Sequence, residues 1–454
     1  MSERKLFGTD GIRGKANIYP MVPEIATALG RAVTFYFQKK NENKKAPLII
    51  IGKDTRLSCY MIEQAFSAGV LSQGGRVIFT GPLPTPGVAF VTTSMRADAG
   101  IMISASHNDF DDNGIKIFDA HGFKLPDEVE LELEELVLNP KLIPPKVGGE
   151  IGRAKRLEGV EGRYVVHVKS AIAEECDLTG MRVVVDSANG ASYKVAPLVM
   201  SELGAEVFSI GVNPNGENIN LNCGSLHPSE AANEVVKLRA DIGFCLDGDA
   251  DRIQVIDKNG GLIDGDRLIG IFAKLLLDQG KLKKGDTVVG TIMSNLGLEN
   301  YLKKLGLNFH RTKVGDRYIM EYMKSENALL GGEPSGHIIF LEHATTGDGT
   351  LAALKAIEAT FYFKKSINEL SEEIELYPQI LKNVSVSQKK SIEEMPGFEK
   401  ELRACEEELG NEGRVIFRYS GTEPLARVMV EGKSSALIEA VCDRLVAALK
   451  KEIA

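Results

Sequence analysis

Residues 100–118, GIMISASHNDFDDNGIKIF, are the stretch from which the rest of the chain can be read. Ala99-Gly100-Ile101-Met102-Ile103 has the unbroken apolar character of a buried strand, and it gives way to Ser104-Ala105-Ser106-His107-Asn108. Small polar residues then lie at the strand's C-terminal end, the edge at which open α/β sheets hold ligands. A serine there can act as a nucleophile, and Asn113-Gly114-Ile115-Lys116 adds a turn and a cation. An ordinary βα loop with a capping serine looks the same, so the segment needs company before chemistry is assigned to it. His107 adjoins Ser106, but successive side chains of an extended chain face opposite ways. His107 is therefore not expected to serve that serine.

With 454 residues, the chain has room for roughly three or four domains of about 100–150 residues each. Its residues are 43% hydrophobic and 26% charged, ordinary for a globular protein with a full core. No apolar run approaches the ~20 residues that a membrane span needs. MSERKLFGTDG at the N-terminus has no apolar signal segment, so the expected compartment is cytoplasmic. A formal charge of −9 without a basic tract argues against general nucleic-acid binding. An anionic substrate would need positive charge concentrated locally. Cys59, Cys176, Cys223, Cys245, Cys405 and Cys442 form no CxxC pair, which argues against zinc and reads as buried thiols.

Outward from the opening stretch, short β-branched runs alternate with helical patterns, the mark of α/β domains. Strands are expected over 48–51, 76–79 and 99–103, a helix over 126–138 and a loop over 139–149. A second α/β unit begins near 156, with strands over 182–185 and 241–246. A third begins at 257, with strands near 287–289 and 338–341. The smaller last unit has strands over 415–418 and 427–431 and a helix over 435–452. The expected division is 1–155, 156–256, 257–367 and 368–454. Lys53-Asp54-Thr55-Arg56, the serine segment and the acidic run from Asp247 each follow an apolar strand, so each can face a common cleft.

That acidic run, Asp247-Gly248-Asp249-Ala250-Asp251-Arg252, places three carboxylates at every second position. In extended backbone they point one way and can converge on a cation. An all-oxygen set suits a hard ion such as Mg²⁺. Like charges directly after an apolar strand are unfavourable without one. A bound Mg²⁺ beside a serine suggests phosphoryl transfer. Arg418-Tyr419-Ser420-Gly421-Thr422-Glu423-Pro424, with Arg427 close behind, combines N–H donors, hydroxyls and a guanidinium fork that can wrap a phosphate. Phe7-Gly8-Thr9-Asp10-Gly11-Ile12-Arg13-Gly14 offers another arginine on a flexible loop. In Gly331-Gly332-Glu333-Pro334-Ser335-Gly336-His337, Glu333 and Ser335 suit sugar hydroxyls and His337 can move a proton, although a structural histidine fits as well. Lys313 and Arg317 of Thr312-Lys313-Val314-Gly315-Asp316-Arg317 can meet a phosphate or be solvated charge. No GxGxxG follows a strand, and Gly432-Lys433-Ser434 lacks the first glycine of a P-loop.

FGTDGIRG, SASHN, NGIK, DGDADR, GEPSGH and RYSGTEP occur in this order from end to end, and together they resemble the α-D-phosphohexomutase superfamily. Cys223-Gly224-Ser225-Leu226-His227-Pro228, GTIMSNLGLE, KVGDRY and SGTEP are similar to its glucosamine branch. Asp109 departs from the family's proline, and Pro334 from its polar residue. The resemblance implies an α/β protein of four domains around a central cleft: three related α/β units plus a smaller C-terminal α+β domain. It implies that Ser106 is carried as phosphoserine and that one Mg²⁺ per chain is held by the Ser106 phosphate with Asp247, Asp249 and Asp251. Glucosamine 6-phosphate would become glucosamine 1-phosphate through glucosamine 1,6-bisphosphate, supplying amino-sugar precursors. Arg418, Ser420, Gly421, Thr422 and Arg427 would hold the phosphate that does not react. Glu333 and Ser335 would hold the sugar, Arg13 and Arg252 would steady the phosphoryl group, and Lys116 or His337 would move the proton. The expected partner is a small hexosamine phosphate, with no nucleic acid and no membrane; a homodimer is the oligomer the resemblance allows. The competing expectations are glucose or mannose phosphates as substrates, a non-catalytic sugar-phosphate sensor, and a phosphatase with an aspartate nucleophile.

Overall fold

The computed structural model describes residues 5–8, 10–40, 45–419 and 425–453. Among them the strands form four sheets, of six, five, four and three strands. The first runs Ile12–Lys15, Asp112–Asp119, Ala99–Ile103, Leu48–Lys53, Arg76–Pro82, Arg153–Arg156. The second runs Leu262–Ile263, Ile253–Asp257, Ile242–Leu246, Arg182–Asp186, Glu206–Ile210. The third runs Asn308–Thr312, Thr287–Thr291, Leu330–Gly332, Ile338–Phe340. The last, antiparallel throughout, runs Gln379–Ser385, Leu425–Gly432, Gly413–Tyr419.

The first three sheets share a four-stranded core. Two parallel pairings are followed by one antiparallel hairpin, so Ala99–Ile103 pairs with Asp112–Asp119, Ile242–Leu246 with Ile253–Asp257, and Leu330–Gly332 with Ile338–Phe340. Central strands such as Leu48–Lys53 are apolar on both faces because helices cover both. The first core strand ends in the same turn each time: Asp54 Oδ1 accepts from Arg56 N (2.9 Å), Asp186 Oδ1 from Ala188 N (2.8 Å) and Thr291 Oγ1 from Met293 N (3.1 Å). Side-chain acceptors of this kind replace a backbone turn.

This topology corrects several expectations. Asn113 and Gly114 lie inside a strand, so the serine loop joins two antiparallel strands and does not lead into a helix. Residues 247–252 and 333–337 occupy the same place in their sheets. The break expected at 155/156 cuts the Arg153–Arg156 strand, and the one at 256/257 cuts Ile253–Asp257, because both strands pair with the preceding sheet. The break at 367/368 cuts the helix Ile367–Glu372, which starts from a capping box at Ser366 and Glu369. The expected loop over 139–149 contains two short 3₁₀ turns, Pro140–Leu142 and Gly148–Glu150.

One apolar core passes through the first three units, from Met102 and Phe118 by Val183 and Phe244 to Phe272 and Phe340. The last unit has its own, around Phe398, Val428 and Leu445, beneath the helices Pro396–Leu409 and Ser435–Ile453. It meets the third unit through polar ties: Arg414 Nη1 donates to Ile292 O (3.0 Å), and Leu296 N donates to Glu431 Oε1 (2.9 Å). All six cysteines are buried thiols. No helix among the described residues is long and apolar enough to cross a membrane.

Candidate active site

The serine loop and the acidic loop meet across the first two units. Ser106 is buried and held at φ +54°, in the left-handed region, and its hydroxyl donates to Asp247 Oδ2 at 2.6 Å. That conformation also turns His107 to the same side, with Nδ1 3.3 Å from Ser106 Oγ. The expectation that neighbours face apart fails here because the chain is not extended. Arg252 Nη1 donates to the same Nδ1 (3.1 Å). Burial, with Arg252 and Arg13 nearby, pushes the His107 pKa down to about 4, so the ring is neutral.

Asp247, Asp249 and Asp251 are all buried, each with a carboxylate oxygen within 4.8 Å of the others'. Extended alternation does not bring them together. They converge through a tight turn in which Ala250 N donates to Asp247 O (3.0 Å) and Ala250 sits at φ +56°. Burial, then Asp251 and Asp249, pushes the Asp247 carboxyl up to about 8. Lys116, fully buried on the strand opposite Met102, contacts Asp249 Oδ2 (2.8 Å) and Asp251 Oδ2 (3.1 Å). Thr85 Oγ1 also donates to Asp249 Oδ2 (2.5 Å). The Oδ1 atoms of Asp249 and Asp251 are buried with no hydrogen-bond partner among the described residues. Orphaned carboxylate oxygens in a buried all-oxygen set fit a hard divalent cation such as Mg²⁺.

Beside this cluster is a cavity of about 640 Å³ lined by Arg13, Arg252, Glu333 and His337 together with the N-terminal loop from Lys5 and residues 314–316. Arg13 and Arg252 each keep about a quarter of the side chain accessible (28% and 25%), and neither Nε makes a hydrogen bond among the described residues, Arg252 Nε lying 3.9 Å from Asp251 Oδ1; guanidinium groups at a cavity wall suit an anion. His337 is gripped at both ring nitrogens. Gly347 N donates to Nε2 (3.0 Å), and Nδ1 is 3.6 Å from Asp251 Oδ1. Burial works against charge on that ring, but Asp251, Asp316 and Glu333 outweigh it and raise its pKa. Burial likewise opposes charge on Lys116, and Asp10, Asp249 and Asp251 together hold its pKa well above the usual lysine value.

Sequence comparison places this arrangement. Models of the phosphoglucomutase/phosphomannomutase domains match the chain in order: alpha/beta/alpha domain I over residues 4–142, domain II over 162–261, domain III over 264–377, and the C-terminal domain over 381–448. The chain belongs to the phosphoglucomutase/phosphomannomutase family. It is 52% identical over 443 residues to the phosphoglucosamine mutase of Desulfotalea psychrophila, covering 97% of this chain and 98% of that one. Among solved structures, a phosphoglucomutase/phosphomannomutase family protein from Burkholderia thailandensis shares the fold with a TM-score of 0.82 at 23% identity, covering 98% of this chain and 97% of that one. So does the N-acetylphosphoglucosamine mutase of Aspergillus fumigatus, solved in complex with GlcNAc-6P and magnesium, with a TM-score of 0.69 at 17% identity, covering 100% of this chain and 96% of that one.

Other residues singled out by sequence go to different places in this family member. Glu333 Oε1 accepts from Gly315 N (3.1 Å) at the cavity wall, whereas Ser335 is exposed. Lys313 is also exposed, 5.9 Å over the Tyr318 ring. Arg317 is corrected outright: it is buried against Glu130 (2.6 and 3.0 Å) and Asp127, which spends its fork on the helix Asp127–Leu138 and not on a phosphate. Lys53 likewise pairs with Glu63 (2.7 Å) and does not face the cleft. Arg418 and Arg427 stand directly opposite each other on paired strands. Burial and Arg427 both lower the Arg418 pKa, a like-charge arrangement that an anion relieves. Ser420, Gly421 and Thr422 lie outside the described residues.

Three residues of the site carried no distinguishing signal. Lys124 ties Asp10 of the N-terminal loop to Asp316 of the third unit (2.5 Å to Asp316). Asp10 in turn pairs with Arg13 and lies 3.4 Å from Lys116, and Asp316 lies 3.5 Å from His337 Nε2. Asp10 and Asp316 stand inside motifs quoted above, but in neither was the aspartate singled out, and Lys124, which joins them, lies outside every motif.

Proposed function

We propose that this enzyme interconverts glucosamine 6-phosphate and glucosamine 1-phosphate, with Ser106 as the carrier of the phosphoryl group. The observation that carries this reading is the Ser106 hydroxyl on Asp247, inside a buried trio of carboxylates and next to a cavity lined by Arg13 and Arg252. The choice of amino sugar rests on the likeness to phosphoglucosamine mutases.

In the first half-reaction the C1 hydroxyl of glucosamine 6-phosphate attacks the phosphorus of phospho-Ser106. The bond from phosphorus to the serine oxygen breaks, a C1–O–P bond forms, and the hydroxyl proton passes to a protein base. Glucosamine 1,6-bisphosphate then turns end for end. Ser106 Oγ takes the 6-phosphoryl group, C6–O regains a proton, and glucosamine 1-phosphate leaves. Phosphoryl transfer of this kind depends mainly on positioning and on charge stabilisation. Arg13 and Arg252 would hold the transferring oxygens, Glu333 and Ser335 the sugar hydroxyls, and Arg418 and Arg427, with residues 420–422, the phosphate at rest. Proton transfer falls to Lys116 or His337; Lys116, held as an ammonium by three aspartates, suits the donor's part. Asp247, Asp249 and Asp251 would hold one Mg²⁺, which when bound offsets charge on the phosphoryl oxygens.

Initial rates with glucosamine, glucose and mannose 6-phosphates, each with a trace of its 1,6-bisphosphate, test this. Glucosamine 6-phosphate should give the highest kcat/KM, by on the order of 10-fold or more. Equal or better turnover of glucose or mannose 6-phosphate contradicts the assignment.

A further inference from the structure

Arg56 is fully buried beneath the serine loop, and each of its five N–H donors has an acceptor. Nε donates to Asp54 Oδ2 (2.9 Å), Nη1 to Asp109 O and Asp112 O (3.2 Å to the latter), and Nη2 to Ser106 O (2.9 Å) and Asn108 O (2.8 Å). Three backbone carbonyls of one loop, and that of the first residue of the strand after it, are thus gathered on one guanidinium. Asn220, from the second unit, reaches two of the same carbonyls from the other side. Its Nδ2 donates to Ser106 O (2.9 Å) and Asn108 O (3.0 Å). The Ser106 amide is held as well: it donates to Ser104 Oγ (2.9 Å), which donates to Asp54 Oδ2 (2.5 Å). The space is closed further by Gly248, where a Cβ would come within 2.5 Å of Ser106 O.

A left-handed serine is strained and persists only where its surroundings over-determine it. We infer that Arg56 and Asn220 are positioning residues for phosphoryl transfer, gripping the Ser106 and Asn108 carbonyls from both sides of the boundary between the first two units and so fixing the side-chain oxygen of Ser106 at Asp247. The loop and the carboxylates belong to different sheets, and nothing within the first unit alone sets the distance between them. The Arg56 grip also accounts for a loop that holds its shape with Asp109 where a proline would have stiffened it. Neither residue lines the cavity, and the side-chain hydrogen bonds of Arg56 and Asn220 go to Asp54, to the serine loop's backbone and to Asp112 O, and not to Asp247, Asp249 or Asp251, so their effect passes through Ser106 and its loop. This inference rests on the proposed serine chemistry.

The test compares full-length wild type with Arg56→Lys, Asn220→Gly and the double variant, each brought to full phosphorylation with glucosamine 1,6-bisphosphate and checked by intact mass. Lysine keeps the charge but loses the planar fork. Glycine removes the amide while accepting the φ of +59° at position 220. Expected is a fall in kcat per folded, phosphorylated enzyme of on the order of 100-fold for Arg56→Lys, with KM within about threefold, as a misplacement of ~1 Å produces. Asn220→Gly should lose on the order of 10-fold, and the double variant less than the product of the two, because both grip the same carbonyls. Melting temperatures separate this from loss of fold. A kcat within about twofold of wild type for Asn220→Gly, measured on folded and phosphorylated enzyme, overturns the inference, and that variant decides alone if Arg56→Lys does not fold. Ser106→Ala is the control: if it turns over at the wild-type rate, the serine reading itself fails. If it is inactive and the grip variants are unimpaired, only the positioning inference fails.

Discussion

The side-chain oxygen of Ser106 lies 2.6 Å from Oδ2 of Asp247, although 141 residues separate them and they belong to different sheets. Each stands in the hairpin loop that closes the four-stranded core of its own unit, and packing the two units against each other brings the loops together. The chemistry is therefore a product of domain assembly, held by a core that is continuous across the first three units.

Burial, and then repulsion from Asp251 and Asp249, push the Asp247 carboxyl up to about 8 in the metal-free protein. Asp247→Asn should raise the melting temperature of the metal-free protein by a few degrees. It should also lower Mg²⁺ affinity, read by calorimetry, and mutase activity by on the order of 100-fold or more. Treatment with a chelator should abolish activity, and added Mg²⁺ should restore it.

Arg317 and Arg418 are predicted to fail differently. Arg317→Met removes the guanidinium from the buried Arg317–Glu130 ion pair, a loss of roughly 3 kcal/mol of stability. The folded fraction, measured by denaturant titration, should fall, while KM of the folded enzyme stays near wild type. Arg418→Met lies on the face expected to meet phosphate. It should raise KM with little change in the unfolding midpoint.

Acid stability depends in part on His343. Burial first, then Lys355, push its pKa down to about 4 against the opposing pull of Glu342. The folded state thus keeps the ring neutral, whereas the unfolded chain protonates it near 6.5. The associated stability is complete above about pH 6.5 and is lost progressively as the pH falls towards about 4, by up to about 3 kcal/mol. His343→Asn should flatten the unfolding free energy across that window in denaturant titrations at a series of pH values.

Much of this was legible along the chain because the strands that carry the site are apolar on both faces and end abruptly in polar residues, as at Ile103 and Leu246. What stayed hidden has specific physical causes. The alternation that seemed to aim Asp247, Asp249 and Asp251 one way was right about convergence and wrong about its cause, since a left-handed Ala250 bends the chain. The hairpins were missed because Asn113-Gly114 reads as a turn, yet both residues are buried in a strand, with Gly114 opposite Arg13. Arg317 looked like a phosphate ligand because its carboxylate partners lie 187 and 190 residues away. Arg56 was noticed only as charge after a strand, since no local pattern tells a guanidinium that binds substrate from one that binds backbone carbonyls.

The central claim is that the phosphate stored on Ser106 is the one handed to the sugar. The direct measurement loads the enzyme with ³²P at Ser106, adds excess unlabelled glucosamine 6-phosphate in Mg²⁺ buffer, and follows the label through a single turnover. The account predicts that the label leaves the protein and appears in glucosamine phosphates as fast as the first product forms. Label that remains on the protein, or is released as free phosphate, while glucosamine 1-phosphate accumulates would contradict it.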